Sequence, residues 1–379
     1  MRTLIFIIVL ISGLISSTIL KAQLSDDASI SIITCRAGDD IYNTFGHSAI
    51  RVQDPHLRLD VIYNYGIFNF QEEGFVGKFL RGKLKYWIGK SRMASFAEGY
   101  QEEKRTILEQ RLNLSQEEKI KLYRALEDNY KPENRYYLYD FFFDNCSTRI
   151  RDILSDNISN LEYPKQTEKE LTFRHLLDQH SYRSPWTDFG MDLLIGRITD
   201  NNSSVEEQMF LPEFLYQHLE ATTVNNEPLV TSTSVLLDFE DIEKQRDHTP
   251  FFTPILFFGA LLLLELVIFF WGLDSRWIAI YDKFWFALAG IGSLALTFMW
   301  IGTDHVTTKT NLNLLWMNPL FLFALFKRSK KIEIAILCLL AVAALQTAFY
   351  QSFHGAVYLI ITILFLKIVR RIQKRKNVV

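Results

Sequence analysis

Two short stretches of this 379-residue chain carry the residue types of a cysteine nucleophile. Phe45-Gly46-His47 opens a strand-like run, and much later Asp144-Asn145-Cys146-Ser147-Thr148 opens a helix-like run. Unpaired backbone N–H groups at a helix start stabilise a thiolate and can also hold an oxyanion. A histidine donated from another element completes the nucleophile by taking its proton. Asp144-Asn145 is the expected cap, with Ile150, Ile153 and Leu154 on the apolar side of the helix. A lone His47 would be a hydrogen-bonded core histidine, but Gly46 allows close backbone approach. The run Tyr63-Asn64-Tyr65-Gly66 adds an amide, Asn64, that can orient the imidazole through its second nitrogen. Hairpin register is not readable from sequence, so Tyr63 or Tyr65 stands as the alternative residue facing the site. Cys338 sits in an apolar run as a small filler. A Cys35–Cys146 bridge is the alternative for the remaining pair in an oxidising compartment.

Elements must bring these residues together. Ser29 to Thr34, His47 to Val52 and Val61 to Phe68 read as strands, rich in β-branched and aromatic residues and separated by turn formers such as Asp54-Pro55. Ser115 and Glu118 form a capping-box pattern ahead of a helix over 115–130, with Ile120, Leu122, Tyr123 and Leu126 at helical spacing. Further helices are expected near 168–180 and 205–221. Residues 23–222 are enough for one α/β domain of ordinary size, and the polar stretch 223–250 reads as a connector.

The composition, 49% hydrophobic and 14% aromatic, exceeds what one small soluble domain uses. Met1-Arg2-Thr3, an apolar run from Leu4 to Leu20, and Lys21-Ala22-Gln23 fit a signal peptide, 1–22, cut after Ala22; an uncleaved anchor is the alternative. Either way, Gln23 onward is exported across a bacterial inner membrane. Apolar segments over 251–271, 284–301, 312–326, 332–350 and 353–369 read as five spans, with Asn313, Asn318 and Pro319 interrupting the third. Basic residues test that count, because they stay on the cytoplasmic side. Lys327, Arg328, Lys330 and Lys331 follow the third span, and Lys367, Arg370, Arg371, Lys374, Arg375 and Lys376 follow the fifth, whereas 302–311 carries only Lys309. Five spans put both clusters inside. The expected organisation is therefore a transmembrane domain over 251–370 and a basic cytoplasmic tail over 371–379. A net charge of −2 without a basic stripe argues against a nucleic-acid partner.

Thr303-Asp304-His305 leads into Asn311, Asn313, Trp316 and Asn318, a polar and aromatic cluster placed to meet lipid headgroups, with His305 as candidate contact; interfacial anchoring and helix capping are the plainer reading. Arg51, near the histidine, is a candidate phosphate contact, and a salt bridge is its commoner fate. His175, His180 and His218 show no metal-ligand spacing.

Histidine-first, cysteine-last order with an Asn-Cys pair resembles the permuted papain-like enzymes, among them the NlpC-type hydrolases and the lecithin:retinol acyltransferase group. More closely, Tyr42 to Val52, Tyr63-Asn64-Tyr65-Gly66, Tyr139 to Cys146 and Phe210-Leu211-Pro212 resemble the bacterial Lnb family of lipoprotein N-acyltransferases. The resemblance implies an α+β permuted papain-like periplasmic domain followed by an all-α transmembrane bundle of about five helices. It implies an acyltransferase in which Cys146, His47 and Asn64 form the catalytic set and Arg51, Asn145 and His305 are candidate substrate contacts. A membrane phospholipid would be the acyl donor, and the lipidated N-terminal cysteine of a diacylated lipoprotein the acceptor, with no cofactor, metal or nucleotide. Permuted relatives use a second histidine where this chain has Asn64. The alternatives are a cell-wall peptidase or amidase on the same dyad, and a non-enzymatic envelope scaffold with Cys146 bridged to Cys35.

Overall fold

The computed structural model describes residues 23–165, 171–346 and 350–376. The expected signal peptide lies outside them. The first half is built on an antiparallel sheet containing β1 (Ser29–Cys35), β2 (His47–Asp54), β3 (Leu59–Ile67), β4 (Lys85–Arg92), β5 (Ile107–Leu112) and β6 (Tyr136–Leu138). Three short strands, β7 (Leu161–Glu162), β8 (Thr223–Val224) and β9 (Glu227–Pro228), form a separate small sheet. A last strand, β10 (Val230–Leu237), returns to the main sheet, whose order is β10-β5-β1-β2-β3-β4-β6.

Side-chain alternation along the central strands feeds two cores. Ile30, Ile32, Ile50, Val52, Tyr63 and Tyr65 pack under the helices Gln116–Tyr130 and Cys146–Asn157, through Leu122, Leu126, Ile150 and Leu154. Ile33, Cys35, Ala49 and Ile62 face the other way, onto Met93 and Phe96 of the helix Met93–Glu102. Each such aliphatic side chain contributes about 1.5–3 kcal/mol when fully buried. The expected capping box closes the start of the helix Gln116–Tyr130: Ser115 N–H donates to Glu118 Oε2 at 2.9 Å, and Glu118 N–H returns to Ser115 Oγ at 3.3 Å.

Several elements differ from the sequence expectation. The stretch 223–250 holds β8, β9, β10 and a helix Glu240–Arg246, so little connector remains before the first membrane-domain helix. β10 is an edge strand with most of its residues exposed, and this accounts for its polar sequence. The run 205–221 divides into Val205–Gln208 and Pro212–Glu220, since Pro212 has no N–H to continue a helix and sits in the first turn of the second. β4 and β5 complete the sheet where no element was expected, and the helix Pro185–Leu194 likewise had no counterpart in the sequence expectation.

The second half is helical: Pro254–Phe270, Arg276–Ile301, Asn313–Trp316, Leu320–Phe326, Lys330–Gln346 and Gly355–Lys376. Arg276–Ile301 is long and apolar enough to cross a bilayer, and Pro254–Phe270 and Asn313–Phe326 are shorter apolar segments. The break over Met317 to Pro319 falls where the interruption was expected. The last helix runs on to Lys376 in place of a separate tail from 371. Lys367 and Arg370, counted among the basic residues after the fifth span, are buried against carboxylates. Lys367 Nζ lies 2.6 Å from Glu265 and 3.0 Å from Asp282, and Arg370 lies 2.5 Å from each. Low-dielectric burial of a charge is tolerated only with such pairing, so these two cations staple three helices together.

Candidate active site

A turn at Gly46 delivers the histidine. Gly46 has φ +78, and a Cβ there would stand 2.6 Å from the carbonyl oxygen of Cys35. Only glycine fits this bend. In β2 and β3, Ile50 lies opposite Tyr63, and beyond that pair Asn64 and Gly66 come up beside His47. Tyr63 and Tyr65 point into the core on the other face, so Asn64 is the residue of this run that lies beside His47. His47 Nε2 and Asn64 Oδ1 are 2.6 Å apart. An amide oxygen only accepts, so Nε2–H donates and Nδ1 is left for the thiol.

Cys146 comes from the opposite direction, as the first residue of its helix. Gly66, at φ +93, bends β3 past the pair: a Cβ on it would be 3.8 Å from Cys146 Cβ and 3.9 Å from His47 Cε1. The ladder with β4 slips between Asn64 and Ile67, a bulge that opens the strand beside the site. Both Cys146 and His47 are half-buried and accessible. Burial pushes the Cys146 thiol up, but the charge and hydrogen bond of His47, with the Ser48 backbone N–H and the Ser147 hydroxyl, bring it down to about 7. Burial likewise disfavours imidazolium at His47, and the charge and hydrogen bond of Cys146, then Asn64, overcome it and raise its pKa. The two groups stabilise each other as a thiolate–imidazolium pair.

Asn145 is buried and spends all its side-chain hydrogen bonds inside the protein. Its Oδ1 accepts from Ser147 N–H at 2.8 Å and Thr148 N–H at 2.9 Å, while Nδ2 donates to the carbonyls of Phe141 at 2.7 Å and Phe210 at 2.8 Å. It therefore holds the start of the Cys146 helix in place, and none of these bonds is left over for a substrate. The cap also takes N–H groups expected for an oxyanion. Ser147, Thr148 and Arg149 all bond Asn145, so of the four at this helix start the N–H of Cys146 is uncommitted to the cap. Phe45, beside Gly46, packs on Phe141 at 5.1 Å, and Phe141 on Phe210 at 5.8 Å. The four sequence stretches singled out at the start thus meet around one dyad.

The remaining candidates lie elsewhere in function. Arg51 is saturated by carboxylates, bidentate to Asp60 at 2.7 and 2.8 Å and 3.1 Å from Glu109, the salt bridge weighed against phosphate binding. His305 Nε2 donates to the Phe79 carbonyl at 3.0 Å, joining the two halves of the molecule. Asn311, Asn313, Trp316 and Asn318 are buried. Asn311 donates to the carbonyls of Leu193 and Leu194 at 2.8 and 3.0 Å, and Asn313 to that of Asp192 at 3.0 Å, supplying partners that the end of the helix Pro185–Leu194 lacks. Cys35 is free and buried, pushed up to about 12 by burial against a Tyr100 hydrogen bond, and forms no bridge to Cys146. Asp178, Asp188 and Asp192 gather near this joint, where Arg174 already pairs with Asp192 and Ser181 bonds Asp188. A cleft of about 810 Å³ runs past Cys35, Phe45 and Gly46 without including Cys146.

Residues 19–179 match the Lnb N-terminal periplasmic domain, and residues 245–377 match the Lnb transmembrane domain. The chain belongs to the Lnb family. Its halves are thus a mixed α/β periplasmic domain and a helical membrane domain, in the architecture of Lnb-type lipoprotein N-acyltransferases. No curated protein and no solved structure matches the chain.

Proposed function

We propose that this Lnb protein is a lipoprotein N-acyltransferase, carrying a fatty acyl group on Cys146 from a membrane phospholipid to the α-amino group of a diacylated lipoprotein. The observation that carries the reading is the Cys146–His47–Asn64 arrangement in a periplasmic domain tied directly to a membrane domain. Papain-like chemistry in permuted order is supported by the histidine preceding the cysteine and by the amide on Nε2.

The Cys146 thiolate attacks an ester carbonyl of the phospholipid, forming a C–S bond while the carbonyl electrons move to oxygen. The N–H of Cys146 is the donor placed for that oxyanion. Collapse breaks the C–O bond, His47 gives its proton to the leaving alkoxide, and lysophospholipid departs. Next, the lipoprotein amine attacks the thioester, His47 takes the amine proton, and the C–S bond breaks to return the thiolate. Exclusion of water from the thioester makes the enzyme a transferase and not a lipase. Asn64 keeps the imidazole in the tautomer that presents Nδ1 to sulfur. Five membrane spans, with the basic clusters that follow the third and the fifth on the cytoplasmic side, complete the proposed arrangement in the inner membrane.

Mass spectrometry of lipoprotein N-termini tests this in cells carrying the wild-type protein, Cys146→Ala, or no protein. Three acyl chains in the wild type and two chains with a free amine in both altered strains are expected. Triacylation persisting in the deletion strain, with no second acyltransferase present, would overturn the reading and leave cell-wall peptide hydrolysis as the use of this dyad.

A further inference from the structure

The segment between β3 and β4 has no role in the dyad, yet it carries a cluster of exposed apolar residues. Phe70 is 67% exposed, Val76 66%, Phe79 49% and Leu80 44%, around the short helix Phe75–Leu80. Lys78, Arg81, Lys83 and Lys85 alternate with them. Apolar side chains rimmed by cations are the composition of a surface that lies in a lipid headgroup layer.

Its height relative to the bilayer is set by the other half of the molecule. The membrane-crossing helix Arg276–Ile301 ends, and within four residues Asp304 N–H donates to the Arg81 carbonyl at 2.9 Å and His305 Nε2–H to the Phe79 carbonyl at 3.0 Å. Lys83 Nζ stands 3.8 Å from Asp304. The backbone of Phe79 to Arg81 is therefore held at the level where a spanning helix leaves the membrane on its periplasmic side.

From this surface an unbroken series of rings leads inward. Phe79 stacks on Phe75 at 6.2 Å and Phe75 on Phe68 at 6.0 Å; Phe68 meets Tyr86 at a tilt at 4.9 Å, and Tyr86 stacks on Tyr139 at 4.4 Å. Phe68 lies two residues beyond Gly66, which covers Cys146, and Phe68, Phe75, Tyr139 and Cys146 border the same core.

We infer that residues 68–83 form a membrane-docking element that sits in the periplasmic leaflet and leads the acyl chain of a phospholipid along the Phe79–Phe75–Phe68–Tyr86–Tyr139 series to Cys146. The second clause rests on the acyl-transfer reading; the first does not.

A photoreactive benzophenone amino acid placed at Val76, Phe79 or Phe70 of the full chain tests the inference. The protein is placed in vesicles of phosphatidylethanolamine and phosphatidylglycerol containing radiolabelled phospholipid. Leu57, 42% exposed in the β2–β3 turn at the far end of the sheet, is the control. Labelling at 70, 76 and 79 about tenfold or more above that at 57 is expected from burial of the apolar cluster in lipid. Equal labelling at all four positions, or none at 70, 76 and 79 in protein whose Cys146 still reacts with iodoacetamide, would overturn it. Acyl-Cys146 is measured in the same samples. Crosslinks without acyl-Cys146 would keep the docking element and discard acyl transfer, and acyl-Cys146 without crosslinks would do the reverse.

Discussion

At the scale of single residues, the chemistry depends on two groups that change each other's proton affinity. Burial pushes the Cys146 thiol up, and the charge and hydrogen bond of His47, with Ser48 N–H and the Ser147 hydroxyl, bring it down to about 7. Alkylation of Cys146 should therefore rise through a midpoint near that value as pH increases, since the thiolate is the reacting form. In His47→Ala the burial effect is unopposed by the imidazole, so the midpoint should move upward, and acyl transfer should fall by about 10²–10⁴-fold with the loss of the general base. A midpoint that stays in place in His47→Ala would show that the imidazole does not set the thiol. Asn64→Ala removes one hydrogen bond, worth about 1 kcal/mol, and should slow transfer roughly fivefold while leaving the fold intact. Sequence alone exposed His47 and Cys146, because their neighbours Gly46 and Asn145 have few other uses. It could not choose among Tyr63, Asn64 and Tyr65, for that choice is made by strand register, which sequence does not encode locally.

Among elements, the helix Cys146–Asn157 and the bulged end of β3 decide how exposed the thiol is. Asn145 makes four side-chain hydrogen bonds between this helix, the Phe141 turn and Phe210. Asn145→Ala loses the cap and leaves buried carbonyls unpaired, and should cost about 2 kcal/mol or more in thermal unfolding. Gly66→Val forces a β-branched residue into φ +93 beside Cys146. It should cost on the order of 1–3 kcal/mol and slow iodoacetamide reaction at Cys146, measured at one pH. The capping-box helix and the first three strands were legible because their signals are local. β10 was not, because an edge strand with both faces exposed has no apolar alternation. For Arg51 a salt bridge was the commoner expectation, but its partners were not legible: Glu109, one of the carboxylates that saturate it, lies on β5, and no local pattern announces it.

The whole molecule is held by contacts that join distant segments, and these were the least legible. In sequence, Asn311, Asn313 and His305 are candidate headgroup contacts set against the plainer reading of anchoring and helix capping; each bonds a backbone carbonyl of a distant segment, Leu193, Asp192 and Phe79 respectively. Lys367 and Arg370 were expected on the cytoplasmic side, but nothing local showed that they are buried against Glu265 and Asp282. Glu265→Ala should destabilise the membrane domain in detergent by about 3–5 kcal/mol, the cost of leaving buried cations short of a partner. Glu265→Met combined with Lys367→Met should cost less, since it removes both members of a pair. If the two variants unfold alike, the cluster is not the staple described. The carbonyl bonds of His305 and Asn311 tie the two halves together, and the proposed transfer between lipids requires the dyad to be held close to the bilayer.

The central claim, that Cys146 carries the acyl group between lipids, is tested most directly by intact-protein mass spectrometry of the full chain in phospholipid vesicles, before and after addition of a diacylated lipopeptide with a free amine. The account predicts one added fatty acyl mass located on Cys146, its disappearance when the lipopeptide is added, and a lipopeptide heavier by the same mass. An unmodified Cys146 in a protein that nevertheless N-acylates the lipopeptide would contradict it.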